Sequence, residues 1–185
     1  MWLGGRGGGP VSVFDTVRKH AAKGGHDQLS HGNWARGQGV PDEFIASKAE
    51  FKAAQKQAKA KIAKAPVPTK EEVEKAHRDL KNARRAGGES RGGNSRDRRN
   101  QRRNLFKEFG GEERGYVVCH GSGVKLHWSR DPEENPNGFP ILSRGKVFVK
   151  KQGGAYRLSN LLPEFLAYNK HRGDSPLREE NTEYM

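Results

Sequence analysis

Basic and amide side chains recur at defined intervals in the last third of the sequence. Lys146, beside Gly145, is followed after 14 positions by Asn160 and after a further 9 positions by Asn169. An ammonium with the ordinary lysine pKa of about 10.4 does not accept a proton at neutral pH, so Lys146 acts as a base only if burial lowers that pKa by several units. With an ordinary pKa it suits contact with a phosphate as a point charge. Lys146 therefore fits contact with a phosphate-bearing partner.

The densest positive charge lies just before this segment. From Arg84 to Lys107 the chain carries nine basic and two acidic residues, and Ser95 is placed to cap a helix that ends at Gly110. A run so nearly of one sign favours phosphate contact over a merely solvated face. The residues expected to contact nucleic acid are Arg96, Arg98, Arg99, Arg102 and Arg103 of this run, with Arg144, Lys170 and Arg172 farther along.

The composition points to the same partner. The chain has 185 residues, 35 Lys and Arg against 22 Asp and Glu, and a net charge of +13. Only 32% of the residues are hydrophobic, against about 45–50% in ordinary globular chains, so one large core is not expected. The single cysteine excludes a disulfide scaffold and a four-cysteine zinc ribbon. No apolar run is long enough to predict a membrane-spanning helix, so we expect no membrane partner.

Shifts in composition divide the chain into five segments. Residues 41–86 are rich in Ala and Lys and predict a helical hairpin, with one helix over Asp42–Ala65 and a second that starts at the Thr69–Glu72 capping box. The predicted segments are a largely disordered Gly-rich tail (1–40, with a short helix at Phe14–His20), the hairpin (41–86), a basic linker and Arg-rich helix (87–111), a compact domain (112–175) and a disordered tail (176–185).

The compact domain mixes strand and helix signals. Short β-prone runs stand at Tyr116–Cys119, Lys125–Trp128 and Lys146–Lys150, separated by Gly, Asn and Pro. A single helix is predicted from Ser159 to Gly173, since it has a capping residue, an early proline and a terminal glycine. The predicted fold class is α+β.

One stretch resembles a known motif. The sequence LSRGKVFVKKQGGAYRLSNLLPEFLAYNKHRGD is similar to the HNH endonuclease motif, in which a ββα unit holds one divalent metal. Its GG, Asn-Leu and Asn-x-x-Arg-Gly elements fall in register with that motif. The preceding NSRDRRNQRRNLFKEFG and CHGSG segments resemble the lead-in of small HNH proteins of tailed bacteriophages. The resemblance covers about residues 94–174 and implies a small ββα-metal domain behind the hairpin and the basic helix.

The resemblance also implies roles for individual residues. The Asp-His pair of the motif falls on Gly145 and Lys146, so Lys146 and Asn160 stand at the catalytic positions. Asn169 stands at a metal-ligand position, and we expect His171 to replace a missing ligand for one Mg²⁺ or similar ion. The second pair of the family's zinc knuckle falls on Phe165 and Tyr168. Its first pair falls on Val117 and His120, or on Tyr116 and Cys119 after a slip, so apolar packing is expected in place of a structural zinc.

These observations lead to one expected function and two alternatives. We expect an HNH-type endonuclease, a hydrolase that cleaves DNA phosphodiester bonds with one divalent metal and no other cofactor. The first alternative is a DNA-binding protein that keeps the HNH fold without the catalysis. The second is a phage virion or scaffold-associated component, suggested by the Ala/Lys hairpin and by the element at His26–Gly32. DNA and other phage proteins are the expected partners, and the cytoplasm of an infected bacterial host is the expected location.

Overall fold

The protein combines six α-helices with two small antiparallel sheets in the part that a computed structural model describes, residues 30–87 and 93–178. This mixture confirms the α+β class. None of these helices has the length and apolar character that crossing a bilayer requires. The predicted helix at Phe14–His20 and most of both predicted tails lie outside the described residues. The helices are α1 (Ser30–Gly37), α2 (Lys48–Lys64), α3 (Lys70–Arg85), α4 (Ser95–Glu108), α5 (Gly111–Arg114) and α6 (Leu166–Arg172), and the strands are β1 (Val117–Val118), β2 (Lys125–Leu126), β3 (Ser143–Lys146) and β4 (Leu161–Glu164).

Each sheet is one antiparallel pair. In the first, Val117 of β1 lies opposite Leu126 of β2. In the second, Gly145 of β3 lies opposite Leu162 of β4. Fourteen residues separate β3 from β4, and this connection contains two short 3₁₀ turns, Lys150–Gln152 and Leu158–Asn160. The order β3, long loop, β4, α6 is therefore a hairpin followed by a helix.

The predicted single helix over Ser159–Gly173 is wrong. The chain forms β4 first and begins α6 only at Leu166. Leu161 and Leu162 are both fully buried, and a strand paired with β3 buries successive side chains on both of its faces. The predicted strand at Lys146–Lys150 also moves, because pairing with β4 begins at Ser143.

The two Ala/Lys-rich helices form, but they do not pair as the predicted hairpin. Side-chain caps start both of them, since Ser47 Oγ accepts from the Glu50 N–H and Thr69 Oγ1 accepts from the Glu72 N–H. The first helix therefore starts at Lys48 rather than at Asp42. α2 packs against β1, and α3 packs against the Lys150–Gln152 turn. Their narrow apolar stripes are covered by the rest of the protein rather than by each other.

One hydrophobic core joins the two halves of the chain. It contains Ala35 of α1 and Ala58 of α2 together with Leu105, Phe148 and Leu161, all at most 2% exposed. The expected disorder of residues 1–40 is therefore wrong for residues 30–40, because α1 contributes to this core. The expectation of no single large core is corrected as well, since most of the buried apolar residues belong to this cluster, while Ala46, Ala54 and Val118 form a small separate one.

Arg178 ties the described C-terminal end to the end of α2. Its Nη1 donates to the carbonyl oxygens of Ile62, Ala63 and Ala65, at 3.1, 3.2 and 2.9 Å. The last carbonyls of a helix have no partner within the helix. The arginine therefore serves as a helix cap supplied from a distant part of the chain.

Candidate nucleic-acid interface

The Arg-rich helix α4 lies across β3 and β4. Leu105 and Phe106 are buried on its inner side, Arg96, Arg99 and Arg103 are exposed, and Arg98 and Arg102 are half-buried. Asn94 rather than the predicted Ser95 caps the helix, because the Asn94 side chain accepts from the Asp97 N–H at 2.9 Å. The predicted basic helix is thus present and is fixed to the hairpin of β3 and β4.

A cleft of about 430 Å³ opens between α4 and the loop that follows β2. Three arginines of α4 line one side, and Trp128 and Arg130 line the other. We call this the arginine cleft. Among its lining residues Asp131 is the acidic one. The full lining is Ser95, Arg98, Arg99, Arg102, Trp128, Ser129, Arg130, Asp131 and Ile141.

Arg102 lies at the centre of this positive charge. Burial lowers the pKa of its guanidinium, and the charges of Arg144, Arg130, Arg98 and Arg99 lower that pKa further. Its Nε is buried and has no hydrogen-bond partner among the described residues. A buried donor without a partner is costly, so Arg102 is held here at some expense of stability.

Two neighbouring arginines are held by an aromatic ring. The guanidiniums of Arg99 and Arg103 lie 5.2 and 5.3 Å from the centre of the Trp128 ring. Arg99 also pairs with Glu134 at 3.3 Å. Arg98 donates from Nη1 to the carbonyl of Gly93 at 3.2 Å. The arginine arms are therefore partly fixed in place, whereas Arg96 and Lys170 are simply exposed.

Arg144 and Lys146 lie together on the side of the hairpin that faces α4. Both cationic groups lie 4.3 Å from the centre of the Tyr156 ring. Gln101 of α4 accepts from Arg144 and donates to the Tyr156 carbonyl at 2.7 Å. Burial lowers the pKa of Lys146, and Lys150 lowers it further. Lys146 lines a second cleft, beside α3, and not the arginine cleft.

Asn160 holds the loop between β3 and β4. Its side-chain oxygen accepts from the Phe148 N–H at 2.8 Å, and its Nδ2 donates to the carbonyls of Phe148 and Ala155 at 3.0 Å each. The side chain is 6% exposed. Its polar atoms are thus engaged with the backbone of its own loop.

The two predicted metal ligands of α6 face different neighbours. Asn169 donates from Nδ2 to Ser143 Oγ at 2.7 Å. His171 lies with its ring 5.7 Å from the centre of Trp34 in α1. Residues two apart on a helix point in nearly opposite directions. The structure therefore does not bring Asn169 and His171 to one site.

A buried ionic network was not anticipated from the sequence. Glu164 is fully buried and accepts from Arg172 Nε at 3.1 Å and from Arg172 Nη2 at 3.0 Å. His120 Nε2 lies 3.0 Å from the same carboxylate. Arg172, 4% exposed, is withdrawn from the predicted nucleic-acid contacts, because its guanidinium is enclosed and held by Glu164.

The side chains around the hairpin do not fit the divalent metal that the HNH resemblance implies. At Gly145 the space for a side chain is filled by Glu164, and that carboxylate is held by Arg172. The Asn169 amide offers its nitrogen rather than its oxygen to Ser143. Within residues 30–87 and 93–178, no three side chains of His, Cys, Asp or Glu gather as a ligand group.

The region of the zinc-knuckle positions is packed with aromatic rings. Tyr168 lies flat on Gly121, where an added Cβ would stand 1.9 Å from the ring. Its ring centre is 5.7 Å from that of His120 and 6.1 Å from that of Trp34. Cys119 is fully buried beside them, and burial raises the pKa of its thiol.

Sequence reasoning missed Glu164, Trp128, Tyr156 and Gln101. Trp128 and Arg130, separated by Ser129 in the sequence, were a signal for the side of the arginine cleft that faces α4. An aromatic residue close to an arginine is typical of nucleic-acid contacts. Glu164 gave no local signal. Comparisons of the chain with protein-family models, with curated proteins and with solved structures found no match. Functional inference therefore depends on the geometry.

Proposed function

We propose that the protein binds nucleic acid through the arginine cleft, as a non-catalytic module of HNH-like ββα form. The observation that carries the proposal is the lining of the cleft, which brings Arg98, Arg99 and Arg102 of α4 together with Arg130 and Trp128. Buried positive charge is stabilised by an opposite charge. Phosphate oxygens supply that charge and match the planar donor fork of arginine.

The surroundings of the cleft support a nucleic acid over a small anion. α4 adds Arg96 and Arg103, both exposed, at and beyond the margins of the cleft. Arg144 and Lys146 add positive charge on the hairpin, beside Tyr156, with Lys146 in the second cleft. Basic side chains with aromatic rings beside them suit a sugar-phosphate backbone.

The HNH relationship is part of the proposal and rests on connectivity. The order β3, loop, β4, α6 with Asn160 in the loop and Asn169 in the helix supports it. Metal-dependent hydrolysis has less support, since the residues at the motif positions are engaged with the protein's own backbone and side chains. Lys146 and Asn160 are accordingly proposed as binding and loop-holding residues rather than as catalytic ones.

Salt-dependent binding tests the proposal. We expect binding of labelled DNA to weaken as salt rises, and the double variant Arg98→Gln/Arg130→Gln to bind at least about tenfold more weakly at fixed salt. Its slope of log affinity against log salt should fall by about 1.8 for duplex DNA. The matched control is Lys52→Gln/Lys59→Gln, which removes the same charge from the exposed side of α2. An equal loss of affinity in both variants would show that binding depends only on the total charge of the protein. That result would contradict a specific site in the arginine cleft.

A nicking assay tests the catalytic alternative. Supercoiled plasmid is incubated with the protein and Mg²⁺ or Mn²⁺, beside an EDTA control. We expect the plasmid to be retarded in a gel but not nicked. Metal-dependent nicking that follows the protein through purification would contradict a purely binding role and would support the endonuclease reading.

A further inference from the structure

We infer that the arginine cleft takes a terminal phosphate of a nucleic-acid strand, a phosphomonoester, in preference to an internal phosphodiester. The inference rests on the proposed function and deepens it, since it names the group that occupies the cleft. The placement of the arginines, the size of the cleft and the charge of the two kinds of phosphate support it.

The arginines converge rather than form a row. Arg102 lies four positions after Arg98 and three after Arg99 on α4, so the three occupy one side of the helix. Arg130 approaches from the opposite wall. The charges of all three neighbours act on Arg102. A surface that follows an internal stretch of backbone needs cations spread along the strand, whereas these four arginines line one cleft.

The charge and the acceptors of a monoester match this point. An internal phosphodiester carries one negative charge and two unbridged oxygens, whereas a monoester carries about −1.5 to −2 at pH 7 and three strong acceptor oxygens. Asp131 in the lining and Glu134 beside Arg99 offset only part of the positive charge of the four arginines. A dianion therefore balances the remaining charge better than a diester does.

The size of the cleft agrees with an end group. About 430 Å³ accommodates a phosphate with part of its sugar, but not a length of duplex. Arg102 lines the cleft, so a phosphate that enters at a strand end meets its guanidinium, whereas a phosphate flanked by two nucleotides is held back by both of them.

Competition binding with three otherwise identical strands tests the inference. One strand carries a 5′-phosphate, one a 3′-phosphate and one hydroxyls at both ends, each displacing a labelled strand at fixed salt. We expect one phosphorylated strand to compete at least about tenfold better than the hydroxyl strand. The end that wins identifies the source of the phosphate. The preference should shrink as pH falls through about 6, where the monoester loses its second charge.

Two variants separate a built site from general charge. Arg102→Lys keeps the charge but removes Nε and the planar fork, so we expect the preference to disappear while binding of the hydroxyl strand persists. Arg130→Gln, at an exposed position, should reduce the preference without affecting folding. Arg78→Lys on exposed α3 is the control. Salt-dependent binding with equal affinity for all three strands would overturn the inference and leave the proposed function standing, whereas no binding of any strand would overturn both.

Discussion

The carboxylate of Glu164 occupies the space that a side chain at Gly145 would fill. A Cβ built on Gly145 would stand 2.2 Å from Glu164 Cδ, and β3 and β4 hold the two residues in this relation through their register. Glu164 in turn binds Arg172 of α6 with both oxygens. The glycine therefore allows a strand-to-helix ion pair to form, at the position that the HNH resemblance aligns with an acidic side chain.

Substitution of Gly145 should destabilise the protein through overpacking. We expect Gly145→Ala to lower the free energy of unfolding by about 1–3 kcal/mol, measured by urea denaturation. Gly37→Ala serves as the control, since no atom lies within 4 Å of the added Cβ there. Similar midpoints for the two variants would show that Glu164 moves aside without cost.

Neutralising Glu164 should cost more, because it leaves a buried guanidinium without its partner. Glu164→Gln is expected to lower the free energy of unfolding by about 3–5 kcal/mol. The exposed Glu113→Gln on α5 should have little effect. The double variant Glu164→Leu/Arg172→Met should recover much of the loss, since replacing both charges by apolar groups is often neutral. A double variant no more stable than Glu164→Gln would argue against the pairing.

Asn160 should matter for stability whether or not the protein cleaves anything. Asn160→Ala leaves the buried Phe148 N–H without its acceptor, at a cost of about 1–3 kcal/mol. Hydrogen exchange at the Phe148 amide should accelerate in parallel. Asn104→Ala, on the exposed side of α4, is the matched control. Unchanged exchange at Phe148 would remove the loop-holding role.

The free energy of unfolding should fall at alkaline pH because Tyr168 is largely buried. Burial raises the pKa of its phenol above the ordinary value of 10.0, and Cys119 and Glu164 raise it further. Above about pH 10 the folded state then retains a proton that the unfolded chain loses, so stability present at lower pH declines as pH rises. Tyr168→Phe should flatten this decline, measured as unfolding free energy from about pH 9 to about pH 11. Parallel profiles for the two proteins would contradict it.

Local signals in the sequence predicted local structure. The capping box at Thr69 and Glu72, the Arg-rich helix and the strand near Val117 were all predictable, because caps, charge runs and β-branched residues act over a few positions. β4 was predicted as helix because Ser159 and Pro163 are residue types that commonly begin a helix. The segment forms a strand instead because it pairs with β3. The core position of Ala35 was missed because an alanine carries little hydrophobic signal.

The candidate site, like the fold, could be predicted from the sequence only in part. The cationic residues of α4 follow from composition, but the cleft needs Trp128 and Arg130 from another element, and only the fold brings them together. Glu164 is separated by eight residues from Arg172 and by 44 from His120. The strand register that joins them has no counterpart in the sequence pattern. The expected phage partners and host location stay predictions.

The cap that Arg178 supplies to the end of α2 has a consequence for the order of folding. Its guanidinium meets the Ile62 carbonyl across 116 positions of chain. Contacts between such distant residues require a large loop to close, and chains rich in them fold slowly. During synthesis on the ribosome, the end of α2 emerges long before residue 178 and waits without this cap. We therefore expect the last turn of α2 to be protected from proteolysis only late in folding, after the β3–β4 hairpin has formed.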